Sequence, residues 1–381
     1  MKGGLMMVNR KINLKILIPI FLLSVISILS IHSALTYTSA SLGNLALKQT
    51  IWYAVGWLLV LLLVYLKNDY LYRRTWFLYI IGNILLVGLL LFADPINSSR
   101  CWFVIPGIGS FQPSEFMKIF LMLTLATMIH NFRIDYDNPT WKEEFIFLLK
   151  TFLITLIPSI LTFLQPDTGC VIMYLVIYVS MIFTSGIRLR WFAMAGAVAC
   201  GVAGICLWLY FYKEPLFIKI FGSSIFYRLE RIVNWQDGSG LQLENALTAI
   251  GSAGITGHGF NQTPIYFPES STDFIFAVFA SNFGFVGVII LLALIFYLDI
   301  QILLLARKRI QDTNRFIISG ILGMLLFQQI QNIGMTVGLL PITGITLPFI
   351  SYGGSSLLSY MLLVGILLNI SEEKNRTYKY K

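Results

Sequence analysis

Ten long runs of apolar residues follow one another along this chain, and they constrain its fold more than any other feature. A helix needs roughly 20 apolar residues to cross the hydrocarbon core of a bilayer, and the runs approach or exceed that length. They fall near 15–35, 49–66, 75–92, 113–131, 146–164, 169–186, 191–212, 273–305, 316–335 and 355–370. The sequence therefore predicts an all-α polytopic membrane protein, a single domain over 1–381 built as a bundle of ten transmembrane helices.

The composition excludes a soluble protein. Hydrophobic residues make up 57% of the chain and charged residues only 12%, whereas soluble domains carry about 25% charged residues. The first run, 16–35, follows a basic flank as a signal peptide would. No small-residue cleavage site follows it, so we interpret it as the first transmembrane helix.

The net charge of +9 is concentrated in alternate short loops, which predicts the orientation of the chain. If the N-terminus is cytoplasmic, most of the Lys and Arg residues lie inside, as the positive-inside rule requires. The outer segments then hold only Lys48, Arg100, Lys213, Lys219, Arg228 and Arg231. Both termini are thus expected in the cytoplasm, with 371–381 as a tail. Basic loops of this kind face anionic membrane lipids and do not indicate nucleic acid.

Two outer segments are unusual. Residues 213–272 form a long extracytoplasmic loop between the seventh and eighth runs, and 215–235 within it has apolar residues at helical spacing. That pattern indicates an amphipathic helix lying in the outer interface or a lid packed on the bundle. Residues 338–356, before the last run, are too apolar for a solvated loop and too broken by Gly and Pro for a helix. We expect a re-entrant segment enclosed by protein or lining a wet cavity.

Several ionisable residues lie at the predicted outer ends of the runs, and each has a structural and a functional interpretation. Asp273 is either an acid at a helix start, favoured by the helix dipole, or a catalytic base at the membrane surface. Glu115 and Lys118 are three residues apart on one helix face, where a salt bridge forms. Asp167 lies in a Pro-Asp-x-Gly turn, over 165–169.

Three arginines and a tryptophan complete the set of candidate residues. Arg100 and Trp102 are either interfacial anchors or part of a site. Arg228 and Arg231 either contact the anionic part of a lipid substrate or are simply tolerated in a long loop. Ionisable groups near the hydrocarbon are costly and mark functional sites. An anionic headgroup needs cations, and a hydroxyl nucleophile needs a carboxylate base.

The motif search excludes several kinds of chemistry. No nucleotide-binding loop and no Ser–His–Asp pattern occurs in a suitable context. The three histidines and four cysteines show no metal-ligand spacing. We therefore expect no nucleotide and no organic cofactor.

Five blocks, in order along the chain, resemble the SEDS family (shape, elongation, division and sporulation), the group of RodA and FtsW. They lie at 100–118, 165–169, 250–260, 267–280 and 332–356. The block GIGSFQPSEFMK at 107–118 is more similar to RodA than to FtsW. Two positions depart from the family: Ser281-Asn282 replaces a usual acidic pair, and Ser98-Ser99 replaces a frequent Gly-Ala.

The resemblance implies a fold of ten transmembrane helices and a peptidoglycan glycosyltransferase in a bacterial cytoplasmic membrane. Such an enzyme polymerises lipid II into glycan strands on the outer face, with a polyprenyl-pyrophosphate-linked glycan as donor. Asp273 matches the family's essential aspartate, and Trp102, Glu115, Lys118 and Asp167 match positions that the family associates with function. The implied partner is a class B penicillin-binding protein, a transpeptidase.

This substrate implies a mechanism in which Asp273 deprotonates the acceptor hydroxyl and the anomeric centre inverts. Arg100, Lys118 or a divalent cation (Mg²⁺ or Mn²⁺) would stabilise the leaving pyrophosphate. Two other functions stay open on the sequence alone. A lipid II flippase or transporter is suggested by the polar interior, although no inverted repeat is visible. A scaffold for a transpeptidase predicts that Asp273 can be changed freely.

Overall fold

A computed structural model gives the fold and describes residues 13–34, 44–95, 99–105, 109–233, 240–307 and 312–373. These residues form fourteen helices and a two-stranded antiparallel sheet between α4 and α5. The elements are α1 (Leu14–Ala34), α2 (Leu45–Leu66), α3 (Asn68–Tyr72), α4 (Thr75–Phe92), β1 (Phe103–Ile105), β2 (Gly109–Phe111), α5 (Pro113–Asp135), α6 (Trp141–Leu164), α7 (Thr168–Thr184), α8 (Leu189–Tyr212), α9 (Glu214–Phe221), α10 (Ser223–Val233), α11 (Gly240–Ser252), α12 (Ile275–Ala306), α13 (Asp312–Thr336) and α14 (Gly354–Glu373).

Ten of the described helices match the ten predicted spans in order. Eight are long and apolar enough to cross a membrane: α1, α2, α4, α6, α8, α12, α13 and α14. The apolar helix α7 has 17 residues, and α5 has 23 residues with charged side chains near both ends. The all-α prediction of ten long helices is confirmed.

Helix α5 lies at the centre of the bundle, where it contacts α4, α6, α7, α13 and α14. Most of its residues from Pro113 to Ala126 are buried. Helix α14 packs most extensively against α2, and α13 against α7. Helix α8 is peripheral, because Leu209 alone is buried among its residues, all of which the structure describes. The charged start of α5 is therefore enclosed by other helices.

The predicted amphipathic stretch at 215–235 forms two helices rather than one. Gly222, between α9 and α10, has a φ of 83°, a left-handed conformation that ends a helix and that glycine adopts readily. Helix α9 packs against α8 and α10, while α11 packs against α12. The placement of 213–272 on the outer face stays a prediction.

The loop before Asp273 is docked into a kink in α12. The helix is interrupted at Gly284, whose φ is 63°. At this point Gly257 approaches so closely that a Cβ on it would lie 2.2 Å from the Asn282 carbonyl oxygen. The His258 amide donates to the Ser281 carbonyl at 2.9 Å. Two glycines therefore allow the loop and the helix to share backbone hydrogen bonds.

The predicted re-entrant segment is irregular from residue 337 to residue 353; it is mostly half-buried before residue 345 and buried over 347–351. Its carbonyl groups accept hydrogen bonds from polar side chains of α1, α2 and α13. The pairs are Ser27 with Ile350, Gln49 with Ser351, Tyr53 with Phe349 and Asn332 with Ile345. Irregular backbone survives at membrane depth only where its polar groups are satisfied in this way.

Candidate active site

A cavity of about 890 Å³ lies between α2, α5, α7, α13 and the irregular segment before α14. The strand pair and residues 269–273 also line it. The charged and amide side chains on its walls are Lys48, Gln112, Glu115, Lys118, Asp167, Glu269, Asp273 and Gln328. Carboxylates and ammonium groups thus face one space.

Asp273 lines this cavity from the turn before α12. The N-cap of α12 is Phe274, which makes no side-chain cap hydrogen bond, and the first turn of α12 contains no acid. The interpretation of Asp273 as a helix-start acid is therefore wrong. Its carbonyl accepts a hydrogen bond from Asn332 Nδ2 at 2.8 Å. Its Oδ2 lies 3.5 Å from the point where a side chain on Gly344 would begin, so the irregular segment leaves room for the carboxylate.

Glu269 is a second carboxylate on the same turn, which sequence reasoning did not single out. It has a φ of 55°, and its carbonyl accepts from the Phe274 amide at 3.1 Å. Its Oε2 accepts from the Thr272 hydroxyl at 2.6 Å. Burial, and second the charge of Glu269, raise the pKa of Asp273 to about 7. A carboxyl group with such a pKa exchanges protons near neutral pH, which suits a general base.

Glu115 and Lys118 form a buried ion pair in the cavity wall. Lys118 Nζ lies 2.7 Å from Glu115 Oε2, and the two side chains are 1% and 9% exposed. The Ser359 hydroxyl donates to the same Oε2 at 3.3 Å. The ammonium lies 5.6 Å from the centroid of the Tyr360 ring. The salt-bridge interpretation holds, and the pair also faces the cavity.

Asp167 has a structural role at the start of α7 and also lies on the cavity wall. Its Oδ1 caps α7 by accepting from the Cys170 amide at 3.0 Å. Its Oδ2 accepts from Gln112 Nε2 at 2.9 Å and from the Ser114 hydroxyl at 3.1 Å. The side chain therefore joins the starts of α5 and α7 while lining the cavity.

The two candidate residues between α4 and α5, Trp102 and Arg100, differ in their position relative to the cavity. Trp102 lines the cavity. Arg100 does not belong to the lining; its Nη1 donates to the Leu90 carbonyl in the last turn of α4, at 3.1 Å. Lys48, in the first turn of α2, lines the cavity instead. Its only sequence signal was a lysine at the outer start of a span, which is also an ordinary position for a solvated charge.

The arginines of the long loop are not brought to the site by any described contact. Arg228 and Arg231 lie on α10, but their side chains fall outside the part that the structure describes. The described residues of α10 contribute nothing to the cavity lining. Their contact with substrate stays a prediction.

The residues that replace the family's acidic pair do not line the cavity. Ser281 and Asn282 are both buried in α12. Asn282 donates to the Ser33 hydroxyl at 2.5 Å and accepts from the Thr263 hydroxyl at 3.1 Å. At the second departure from the family, the pair Ser98-Ser99, Ser99 lines the cavity and Ser98 lies outside the described residues.

A ten-helix bundle around a buried cavity of carboxylates and amines defines a polytopic membrane protein with an internal polar site. The sequence profile of the cell cycle protein family, which comprises FtsW, RodA and SpoVE, matches residues 13–376. The chain therefore belongs to this family, the SEDS proteins.

Several relatives are similar to the chain over most of their length. The probable peptidoglycan glycosyltransferase FtsW of Lactococcus lactis is 30% identical over 97% of this chain and 94% of that protein. Stage V sporulation protein E of Bacillus subtilis is 33% identical over 86% of each chain. Peptidoglycan glycosyltransferase MrdB of Escherichia coli is 31% identical over 95% of each chain. The sequence identities to FtsW, stage V sporulation protein E and MrdB are nearly equal. The closer similarity to RodA therefore stays a prediction.

Two solved structures share the fold. A chain of a peptidoglycan synthase complex, studied for the coordination of polymerization and crosslinking, gives a TM-score of 0.75 at 27% identity, over 96% of this chain and 99% of that one. The rod shape determining protein RodA of Thermus thermophilus gives 0.68 at 26% identity, over 96% and 98%. The predicted fold class is thus confirmed independently of the sequence pattern.

Proposed function

We propose that this member of the family, a peptidoglycan glycosyltransferase, polymerises lipid II with Asp273 as the general base. The observation that carries the proposal is the carboxyl group of Asp273 in the wall of a cavity that also holds two lysines; burial and the charge of Glu269 raise its pKa. A base is most effective when its pKa lies near the working pH, because it is then both deprotonated and basic. Asp273 would take the proton from the 4-hydroxyl of the acceptor sugar.

The leaving group is the pyrophosphate of the polyprenyl-linked donor glycan. Pyrophosphate leaves readily once its charge is stabilised, so a second carboxylic acid is not required. Lys118 and Lys48 supply positive charge within the cavity, whereas Arg100 is engaged with α4. Direct displacement by the activated hydroxyl inverts the anomeric centre from α to β. The tails of both lipids would lie between the helices.

A divalent cation fits this site only in part. The described residues contain no group of three or more His, Cys, Asp or Glu side chains placed to hold a metal ion. Mg²⁺ is commonly held by one or two carboxylates together with substrate phosphates. Glu269 would be such a carboxylate, because Asp273 has to stay free to accept a proton, and the ion, Mg²⁺ or Mn²⁺, would neutralise pyrophosphate charge when bound.

The partner and the orientation follow from the relatives and the charge pattern. The similar chain of the synthase complex supports a transpeptidase partner, which we propose is a single-pass class B penicillin-binding protein. We place the protein in the bacterial cytoplasmic membrane with both termini inside and the cavity open to the outer face. The alternatives, a lipid II flippase and a scaffold, predict that glycan polymerisation does not depend on Asp273.

The test is polymerisation of lipid II by the purified protein in detergent, where no second compartment exists for transport. We expect Asp273→Asn to lower the rate by about 10²- to 10⁴-fold, the usual cost of losing a general base. Asp299→Asn is the matched control, because Asp299, on α12, lines an apolar groove between α12 and α13 and does not line the cavity. Near-wild-type polymer from Asp273→Asn would refute the assignment of the base.

A further inference from the structure

Gln328 of α13 carries a buried polar atom that the fold leaves without a partner. The residue is 2% exposed. Its Nε2 donates to the Tyr360 hydroxyl at 2.9 Å. Its Oε1 accepts no hydrogen bond from any residue that the structure describes. Buried acceptors without donors are rare in folded proteins and call for an explanation.

The explanation lies in the position of this side chain on the cavity wall. Gln328 lines the cavity together with Lys118 and Thr346. The three meet around Tyr360, whose hydroxyl lies 3.4 Å from Thr346 Oγ1 and whose ring centroid lies 5.6 Å from Lys118 Nζ. An uncharged amide side chain therefore lies in the same part of the wall as the buried ammonium group.

We propose that Gln328 positions the sugar of the lipid-linked substrate by accepting a hydrogen bond from a hydroxyl or acetamido N–H group. The inference rests on the proposed function and adds a residue that recognises a neutral part of the substrate. A site with a buried acceptor discriminates against ligands that lack the donor, since the acceptor then stays unpaired. The unpaired oxygen destabilises the free protein, and the hydrogen bond from the bound sugar removes that destabilisation.

The adjacent glutamine provides a matched control. Gln329 is 7% exposed, but its Nε2 donates to Asp299 Oδ1 at 3.2 Å. It lines the apolar groove between α12 and α13 and not the cavity. The two residues share a helix, a side-chain type and a degree of burial, and they differ in what the amide contacts.

The experiment compares Gln328→Met, Gln328→Leu and Gln329→Met in lipid II polymerisation and in thermal unfolding. We expect the Gln328 variants to raise KM about tenfold with kcat within about twofold, the effect of one lost hydrogen bond. Their melting temperature should fall no further than that of Gln329→Met, because each variant loses one buried side-chain hydrogen bond and the Gln328 variants also lose the unsatisfied oxygen. Gln329→Met should lower the melting temperature and leave KM unchanged, because Asp299 loses its donor.

The opposite pattern overturns the inference. If Gln328→Met unfolds the protein, or lowers its melting temperature without raising KM, the residue is structural or its oxygen is only hydrated. The affinity of Asp273→Asn protein for lipid II, with and without Gln328→Met, separates this inference from the proposed function. Unchanged affinity contradicts the role of Gln328 alone, whereas wild-type protein that makes no polymer contradicts the proposed function.

Discussion

At the scale of residues, the site depends on one carboxylate, that of Asp273. The backbone of Asp273 is held by Asn332, and its side chain faces the cavity near Glu269. A group that transfers protons needs a fixed backbone, which sets the direction of its side chain, and a polar cavity, which admits the substrate. The protonation of Asp273 is therefore the quantity to measure first.

The pKa of Asp273 makes the rate of polymerisation depend on pH near neutrality. A general base acts only when deprotonated, so the rate should fall as the pH drops through about 7. Glu269→Gln removes the second cause of the raised pKa, so the acidic limb of the rate profile should move to lower pH. Initial rates between about pH 5 and about pH 9 test this, with Glu269→Asp as the control that keeps the charge. An acidic limb unmoved by Glu269→Gln would contradict the prediction.

The ion pair of Glu115 and Lys118 should behave as a coupled unit. Both side chains are buried, so removing one leaves the other charge without its partner, at a cost of roughly 3–5 kcal/mol. Glu115→Gln and Lys118→Met should each lower the free energy of unfolding, while the double variant loses less than the sum. Chemical unfolding of the four proteins measures the coupling. Simple additivity would show that the two groups do not interact.

At the scale of elements, the turn that carries Asp273 depends on the kink in α12. A Cβ at Gly284 would lie 2.2 Å from the Gly257 backbone nitrogen, and φ at Gly284 is 63°. We expect Gly284→Ala to displace the loop from the helix, lowering both the melting temperature and the polymerisation rate. Gly196→Ala is the control, because no atom lies within 4 Å of a Cβ there and a helical Gly→Ala change is favourable by roughly 1 kcal/mol. Equal stability of the two variants would be inconsistent with a required close approach.

The elements were predictable from the sequence to the extent that hydropathy determines them. Apolar length gave the ten spans, and the Gly- and Pro-broken segment gave the irregular chain before α14. The sequence did not predict that Lys48 lines the cavity and that Arg100 does not, because packing decides where a long side chain lies. Gln328 was also missed, since one polar residue within an apolar run shows neither its depth nor its partners. The predicted amphipathic helix is divided at Gly222, because a residue in the left-handed conformation ends a helix even where apolar residues continue at helical spacing.

At the scale of the whole molecule, the proposed orientation in the membrane rests on the distribution of basic residues and can be tested directly. After replacement of the four native cysteines, a single cysteine in the tail 371–381 should react with a membrane-impermeant maleimide only in permeabilised cells. A cysteine in place of the exposed Lys219 should react in intact cells, because 213–272 is predicted outside. Labelling of the tail in intact cells would reverse the orientation.

The hydrogen bonds around the irregular segment also set an order of assembly during synthesis. Ser27 and its acceptor Ile350 are 323 residues apart, and Gln49 and its acceptor Ser351 are 302 apart. At about 5–20 residues per second, the ribosome makes these donors roughly 15–60 s before their acceptors. During that interval Gln49 can donate to the Ser27 hydroxyl, its partner at 3.3 Å in the folded protein, but both side chains lack their backbone acceptors, which hydrocarbon does not replace. Nascent chains that stop before residue 345 should therefore be substrates for membrane quality control, even though their N-terminal helices are complete.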